Sequence, residues 1–568
     1  YELDRKIDEA GMFSSKRTDF NDKQVAHTQF WNKYERPPKE EYWDYIVERR
    51  DLLVPQDVRE RKGSFFTPQI WVELSQKYLT DVLGEDWQDE YYVWDCAAGT
   101  GNLLAGLTNK YNIWASTLDK QDVEVMHDRI KNGANLLHDH VFQFDFLNDD
   151  FSKLPQPLQD IINDEEKRKK LVIYINPPYA EATSATTVTG TGENKIGVAT
   201  DNKVNKYFNA KIGNASNELF ALFMAQVIDK IPNCSLALFS KLKYIQGSNF
   251  SNFRKYFQAE YLNGFVVPAN TFDNVKGNFP IGFTIWKTNK NKIIKNIECD
   301  IYLSNGKING VKTFYGELTQ YINKWIVKYQ IQRKDSIGTL FFRGNDFQNQ
   351  KYIYIDLGTS SAHDSELYIN HTNIFKNCVY FSVRHCIEAT WLNDRDQFLF
   401  PNDNWQTDTE FHNDCLVFTL FHGQNRISSA KGTNHWIPFT EQEVNAREKF
   451  ESNFMSKFIN GKVKTEQSED LFSDQTQRTT PLVFSPEAKA VFDAGLKLWK
   501  YYHKQPNCNV NASLYDIREH FQGRNEKGKM NNKSLDETYT FLIGDLREKL
   551  KELAKKIEPK VYEYEFLK

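Results

Sequence analysis

The sequence predicts an α/β protein built on a parallel sheet, and three observations predict it. Strand-like and helix-like segments alternate from residue 91 to residue 267, the pattern left by parallel strands joined through right-handed crossovers. A small-residue loop with two glycines, Asp95 to Asn102, follows the first of these strands. The first four predicted strands run into Asp95, Asp119, Asp145 and Asn176, and open α/β sheets bind ligands at the carboxyl ends of their strands.

Taken in order, Asp22 to Leu53 reads as helical. Phe30, Trp31 and Tyr34, then Tyr42, Trp43, Tyr45 and Ile46, recur at helical spacing, and Pro37-Pro38 divides the stretch into two helices. Residues 1–60 are therefore expected to form a helical N-terminal region. In Gly63-Ser64-Phe65-Phe66-Thr67-Pro68 the Thr-Pro pair leads into a helix predicted over Gln69 to Leu79, with Pro68 near its first turn. Tyr91 to Trp94 is β-rich, and a helix is expected to start near Asn102. Strand Ile113 to Leu118, helix Gln121 to Leu136, strand His140 to Phe144 and strand Leu171 to Ile175 follow. Helix Glu218 to Lys230, strand Ser235 to Ser240, helix Ser251 to Ala259, strand Leu262 to Val267 and a closing strand Ile281 to Trp286 complete the pattern. Ala180 to Asn217 and Asn460 to Thr480 show little periodicity and are expected to be mobile. The former follows the strongest motif in the chain, which weights it toward function, and the latter reads as a linker or surface excursion.

Beyond Lys295 short β-like runs separated by polar turns predict a separate mixed or β-rich region. Tyr352 to Ile355 and Leu416 to Phe421 are examples. Ser485-Pro486-Glu487 opens one late helix, and Ser534-Leu535-Asp536-Glu537 reads as a capping box opening another. Leu542, Leu546, Leu550, Leu553 and Ile557 form an apolar stripe along that last helix, a packing surface.

Composition bounds the function. The 568 residues allow two to four domains, and 40% hydrophobic with 26% charged residues exclude a wholly disordered chain. No run reaches the 18 or so apolar residues of a membrane span, so no membrane partner is expected. The chain starts at Tyr1 with no apolar leader, which predicts a non-secreted, processed or truncated product. Seven cysteines without a CxxC pair fit the cytoplasm better than a disulfide framework. Cys378, His385, Cys386, His412 and Cys415 match no zinc spacing, and no metal is expected. The net charge is −4, yet Asp201 to Lys295 carries 13 Lys/Arg against 5 Asp/Glu. A basic segment on an acidic chain suits contact with a polyanion on one face, or a solvated surface.

The chemistry concentrates at Asn176-Pro177-Pro178-Tyr179. An amino nitrogen conjugated to an aromatic ring is a poor nucleophile because its lone pair is delocalised. The Asn176 side-chain oxygen and the Pro177 carbonyl can each accept one of its N–H groups. Held rigidly by consecutive prolines, two such acceptors turn the lone pair toward an electrophile. Pro178 stiffens the loop, and Tyr179 offers a ring face to a planar base. A methyl sulfonium is electrophilic enough that no strong base is needed. The upstream loop supplies a donor site: Ala97, Gly99, Gly101 and Asn102 lie where backbone can approach a ligand, and no Gly-Lys-Ser/Thr follows, which disfavours a P-loop. Asp119 can accept from both hydroxyls of a ribose. Asp145 can accept from an adenine amino group while Phe146 packs on its ring.

These residues resemble the N6-adenine DNA methyltransferases of gamma motif order, of the restriction–modification type. In that order a Phe-Thr-Pro element comes first, the glycine loop second and Asn-Pro-Pro-Tyr third, as in Phe66-Thr67-Pro68, Asp95 to Asn102 and Asn176 to Tyr179. Cys96 stands where the family commonly has Pro. The resemblance spans about Lys62 to Lys287. It implies a Rossmann-like S-adenosylmethionine-dependent methyltransferase sheet of seven strands with an antiparallel last strand. It implies that Thr67 and Asp95 lie beside the methionine part of the donor, that Asp119 binds ribose, and that Asp145 with Phe146 holds the donor adenine. Asn176, Pro177 and Tyr179 would hold a target adenine flipped out of double-stranded DNA. A catalytic domain is then expected over 61–295, a DNA target-recognition region over 296–480, and a helical region over 481–568, with a specificity or nuclease subunit as a further partner. Asp164-Glu165-Glu166-Lys167 reads as a solvated helical face, so no nuclease site is expected in the chain. Two alternatives stand beside this reading. Asn-Pro-Pro-Tyr also occurs in enzymes that methylate RNA or a protein glutamine, although these lack the Phe-Thr-Pro element. A non-catalytic DNA-binding subunit is the other.

Overall fold

The structure, a computed structural model, describes residues 67–179, 203–272, 275, 277–289, 292–316, 318, 320–358, 365–463 and 480–568. The expected N-terminal helices, Phe66, residues 180–202 and residues 464–479 lie outside the described residues, while the described rest of the stretch expected to be mobile after Tyr179 is helical, α over Lys203–Ile212 and 3-10 over Gly213–Asn217. The chain divides into two compact units, Tyr1–Glu317 and Leu318–Lys568.

The first unit is α/β. Its sheet has the strands β1 (Tyr92–Asp95), β2 (Ile113–Thr117), β3 (Val141–Gln143), β4 (Leu171–Ile175), β5 (Ser235–Lys241), β6 (Glu260–Pro268), β7 (Pro280–Lys287), β8 (Asn296–Tyr302) and β9 (Ile308–Tyr315). Their order is β3-β2-β1-β4-β5-β7-β6-β8-β9. β1 to β5 run parallel, and β7 runs antiparallel between β5 and β6. Across β1 to β7 this is the Rossmann-like arrangement with one reversed strand that the family resemblance implies, and β9, antiparallel to β8, is reversed as well. The order turns around between β1 and β4, which pair with Trp94 opposite Ile173, so a crevice is expected above their carboxyl ends.

The apolar sequence of β4 follows from its place. As a central strand covered on both faces it buries every residue of Leu-Val-Ile-Tyr-Ile. Helix α1 (Gln69–Leu83) starts on Pro68, whose carbonyl accepts from Trp71 and Val72 N–H. It buries Trp71, Val72, Tyr78 and Leu79, and Ser75 bonds the Tyr174 hydroxyl of β4 at 2.5 Å. Helix α2 (Lys120–Lys131) follows β2, and α3 (Leu219–Lys230) precedes β5.

Several expectations are corrected. No full helix starts at Asn102: a single 3-10 turn, Asn102–Leu104, lies between Gly101 and Gly106, both at positive φ, which confine it. α2 ends at Lys131 rather than Leu136, since Gly133 at φ +99° turns the chain. The helix from Ser251 ends at Tyr256, ahead of the early start of β6. Strands β8 and β9 extend the sheet past residue 295, because β8 pairs with β6. The unit therefore reaches Glu317.

The second unit sets a three-stranded antiparallel sheet, β11 (Tyr354–Asp356), β10 (Gly338–Phe342) and β12 (Ser365–Ile369), among helices α4 (Ile374–His385), α5 (Thr409–Phe421), α6 (Pro486–His503) and α7 (Glu537–Glu563). One apolar core runs from Ile322 to Leu567, so residues 318–463 and the C-terminal helices share a core rather than dividing at 480. Leu416 to Phe421, expected as β-like, belongs to α5. That helix is buried nearly all round, so its sequence shows no amphipathic stripe to separate it from a strand. Ser485 caps α6. α7 is capped by Asp536, which accepts from Tyr539 N–H, while Ser534 instead donates to the Phe521 carbonyl. Of the expected stripe on α7, Leu546, Leu550, Leu553 and Ile557 are buried, Leu542 is half-buried, and Ile543 is buried beside them. Asp164 caps the short helix Glu165–Lys169, whose residues are exposed or half-exposed. No helix among the described residues is long and apolar enough to cross a membrane.

Leu553→Ala is expected to destabilise the second unit by about 2–5 kcal/mol, the cost of an unfilled core cavity. Leu535→Ala, at a fully exposed position just before α7, is expected to stay within about 0.5 kcal/mol. Denaturant melts of the two variants check the pair.

Candidate active site

Three segments distant in sequence meet where the strand order reverses. Thr67, just before the Pro68 cap of α1, is 4% exposed. Its carbonyl accepts from Asn102 Nδ2 at 2.6 Å, and its hydroxyl accepts from Asn176 Nδ2 at 2.7 Å. The Thr-Pro element, the glycine loop and the Asn-Pro-Pro-Tyr loop are thus joined through one side chain and its carbonyl.

Local chemistry explains each part. Pro68 restricts Thr67 to extended backbone and then caps α1. Gly99 at φ +54° and Gly101 at φ +80° turn the loop, a conformation that costs glycine little. A Cβ on Gly99 would meet nothing within 4 Å, whereas one on Gly101 would press on Met126. Gly99 therefore borders open space and Gly101 borders α2. Arg129 of α2 donates to the Thr100 carbonyl at 2.8 Å and pins the loop. Asn102 is buried and spends its amide on Thr67.

Asp95, at the end of β1, is 1% exposed and accepts from Ala97 N–H at 3.0 Å. Burial pushes its carboxyl up to about 7, because an ion is costly in a poorly solvated place. Asn176 follows β4, with Pro177 buried and Pro178 half-buried. The Tyr179 hydroxyl donates to Asn176 Oδ1 at 2.6 Å, and the ring is 5% exposed. The acceptor expected to take an amine N–H thus holds the Tyr179 hydroxyl here, and the ring face expected to stack on a base is covered.

Asp119 lies half-buried at the start of α2, and its carbonyl accepts from Asp122 and Val123 N–H. Two further expected residues have partners within the protein. Asp145 Oδ1 accepts from Leu147 and Asn148 N–H, and its Oδ2 accepts from the Asn148 side chain, so it closes its own turn. Phe146 is buried against Phe223, stacked at 5.1 Å, with Trp94 edge-on at 5.7 Å, so its ring belongs to the core. Phe66 lies outside the described residues.

Sequence reasoning missed Lys241. It ends β5, next to β4, and its Nζ donates to the Tyr179 carbonyl at 3.4 Å and stands 5.6 Å above the Phe279 ring. Its signal was its position, one residue past the predicted end of a central strand. No group of His, Cys, Asp and Glu able to hold a metal occurs among the described residues.

No protein-family model matches the chain, and no curated protein matches it. Solved structures do align with part of it. The DrdV–DNA complex is 12% identical with a TM-score of 0.36, covering 56% of this chain and 39% of that one. A type I restriction-modification system methyltransferase subunit from Streptococcus thermophilus is 16% identical with a TM-score of 0.32, covering 46% and 52%. The ATP-dependent Type ISP restriction-modification enzyme LlaBIII bound to DNA is 13% identical with a TM-score of 0.32, covering 50% and 25%. The aligned chain thus spans between a quarter and about half of the length of these proteins.

Asp95 gives a prediction with a definite sign. Unfolded it ionises near 3.8, folded near 7, so its burial erodes stability progressively as pH rises between those values. Asp95→Asn keeps an oxygen for Ala97 N–H and is expected to raise the melting temperature at pH 8. The gain should shrink as pH falls below 7. A gain independent of pH in thermal melts contradicts the assignment.

Proposed function

We propose that the chain transfers a methyl group from S-adenosylmethionine to the N6 amine of an adenine flipped out of double-stranded DNA, as the modification part of a restriction–modification system. The observation that carries the reading is the Asn176 amide at the carboxyl end of β4, clamped by Thr67 to the glycine loop beside β1.

The residues fit the donor. A buried carboxyl raised to about 7 is one that an approaching ammonium would return to its ionised state, and the methionine part of the donor carries an α-ammonium. The open space beside Gly99 admits a ligand against the loop backbone. Asp119, one strand further along, accepts from ribose hydroxyls. S-adenosylmethionine supplies a methyl group on a charged sulfur, an electrophile that an aromatic amine can attack without a strong base.

The chain's own part is positioning. Asn176 Oδ1 and the Pro177 carbonyl accept the two N–H groups of the amine and draw its lone pair out of conjugation. The same oxygens stabilise the positive charge that grows on nitrogen as the N–C bond forms and the C–S bond breaks. For the amine to arrive, the Tyr179 hydroxyl leaves Asn176, which frees the Tyr179 ring to stack on the base. The target nucleotide must leave the helix, since N6 is paired within it. Lys241 and the basic stretch up to Lys295 lie along phosphates, and sequence readout belongs to the unit Leu318–Lys568. A specificity or nuclease subunit completes the assembly.

Modification-sensitive sequencing of DNA from cells expressing the chain tests the reading. N6-methyladenine at a recurring sequence is expected, and unmodified DNA contradicts it. Asn176→Ala is expected to lower methyl transfer on the order of 10²–10³-fold or more, as for loss of a preorganised polar group, with donor affinity nearly intact. Asp119→Ala should weaken donor binding about 10- to 100-fold, the worth of charged hydrogen bonds. Calorimetric titration of donor with radiolabel transfer to DNA separates the two roles. Equal loss of both quantities in Asn176→Ala contradicts the assignment.

A further inference from the structure

Asn176 is gripped at both ends of its amide, and the two grips differ. Its nitrogen donates to Thr67 Oγ1 at 2.7 Å, and its oxygen accepts from the Tyr179 hydroxyl at 2.6 Å. Thr67 is anchored. It is 4% exposed, its carbonyl is held by Asn102 at 2.6 Å, and Pro68 fixes it to the start of α1. Tyr179 sits three residues after Asn176 in the same loop, and its hydroxyl occupies Asn176 Oδ1, one of the two acceptors that an incoming amine needs.

We propose that Thr67 is a positioning residue that locks the Asn176 amide with its oxygen facing the substrate, and that the Tyr179 hydroxyl is a placeholder displaced by the substrate amine. This rests on the function proposed above. It gives Thr67 a role different from the donor contact that the family resemblance implies, because the hydroxyl is directed at Asn176. Without the Thr67 hydroxyl the amide loses a buried partner and is less restrained against turning its NH2 toward the amine, which has two N–H groups to donate.

The test uses the full chain and the variants Thr67→Val, Thr67→Ser and Tyr179→Phe. Valine keeps the shape of threonine without the hydroxyl, and serine restores the hydroxyl. Labelling with ¹⁵N-asparagine reports the Asn176 side-chain amide, assigned by its loss in Asn176→Ala. That signal is expected to shift and exchange faster in Thr67→Val and to stay in place in Thr67→Ser. For methyl transfer to DNA, Thr67→Val should lose about 10- to 100-fold in kcat, the scale of a misplaced reacting group, with donor Kd unchanged and serine retaining most of the rate. Tyr179→Phe should lower KM for DNA, because no hydroxyl must be displaced. An unmoved Asn176 signal in Thr67→Val overturns the proposal whatever the activity. So does a loss of donor affinity that matches the loss in kcat/KM. A KM for DNA in Tyr179→Phe at or above that of the unaltered chain overturns the placeholder. If the unaltered chain transfers no methyl to DNA, the proposed function fails, and the amide signal still decides whether Thr67 holds Asn176.

Discussion

The structure of the candidate site depends on one constraint: a buried threonine bonded to two asparagines at the point where the strand order reverses. Thr67 precedes the first described helix, Asn102 follows the glycine turn, and Asn176 follows the central strand β4. Each of these positions is set by its own element. The restricted residue before Pro68, the positive φ of Gly101 and the fully buried β4 deliver three polar groups to one place. Buried polar groups are costly unless paired, and Thr67 pairs with both asparagines.

The same economy of polar groups shapes the rest of the candidate site. Asp95 is buried with a backbone N–H for company, and its raised pKa is the cost of that burial. A cationic ligand group would relieve it. Asn176 Oδ1 is likewise satisfied, by Tyr179. Under the proposed function, ligands exchange partners with groups already satisfied, so binding is selective for molecules that replace a hydroxyl donor and offset a buried carboxylate.

Much of the fold was legible in the sequence because parallel βα units leave a local signature. β4 was readable residue for residue, and the strand-end positions of Asp95 and Asn176 followed from it. Long-range pairing was less legible. Nothing in the spacing of Thr67, Asn102 and Asn176 announces that they bond, and β8 and β9 join the sheet through register rather than motif. Asp145 and Phe146 show the opposite limit. An Asp and an aromatic ring after a strand suit a ligand, but Asp145 also suits its own turn and Phe146 also suits the core against Phe223. Both have partners within the protein. In the second unit, α5 is buried nearly all round, so its period was hidden, and the α7 cap fell to Asp536 because its carboxylate reaches Tyr539 N–H.

The central claim is that this crevice sets a conjugated purine amine in front of a methyl donor. It is tested most directly by the chemical identity of the product. The purified chain is incubated with S-adenosylmethionine labelled in its methyl group and a mixture of duplex DNA, RNA and protein, and the digested pools are separated by chromatography. The account predicts label in N6-methyldeoxyadenosine from the DNA pool. Label in methylglutamine, in RNA or in a cytosine product contradicts it.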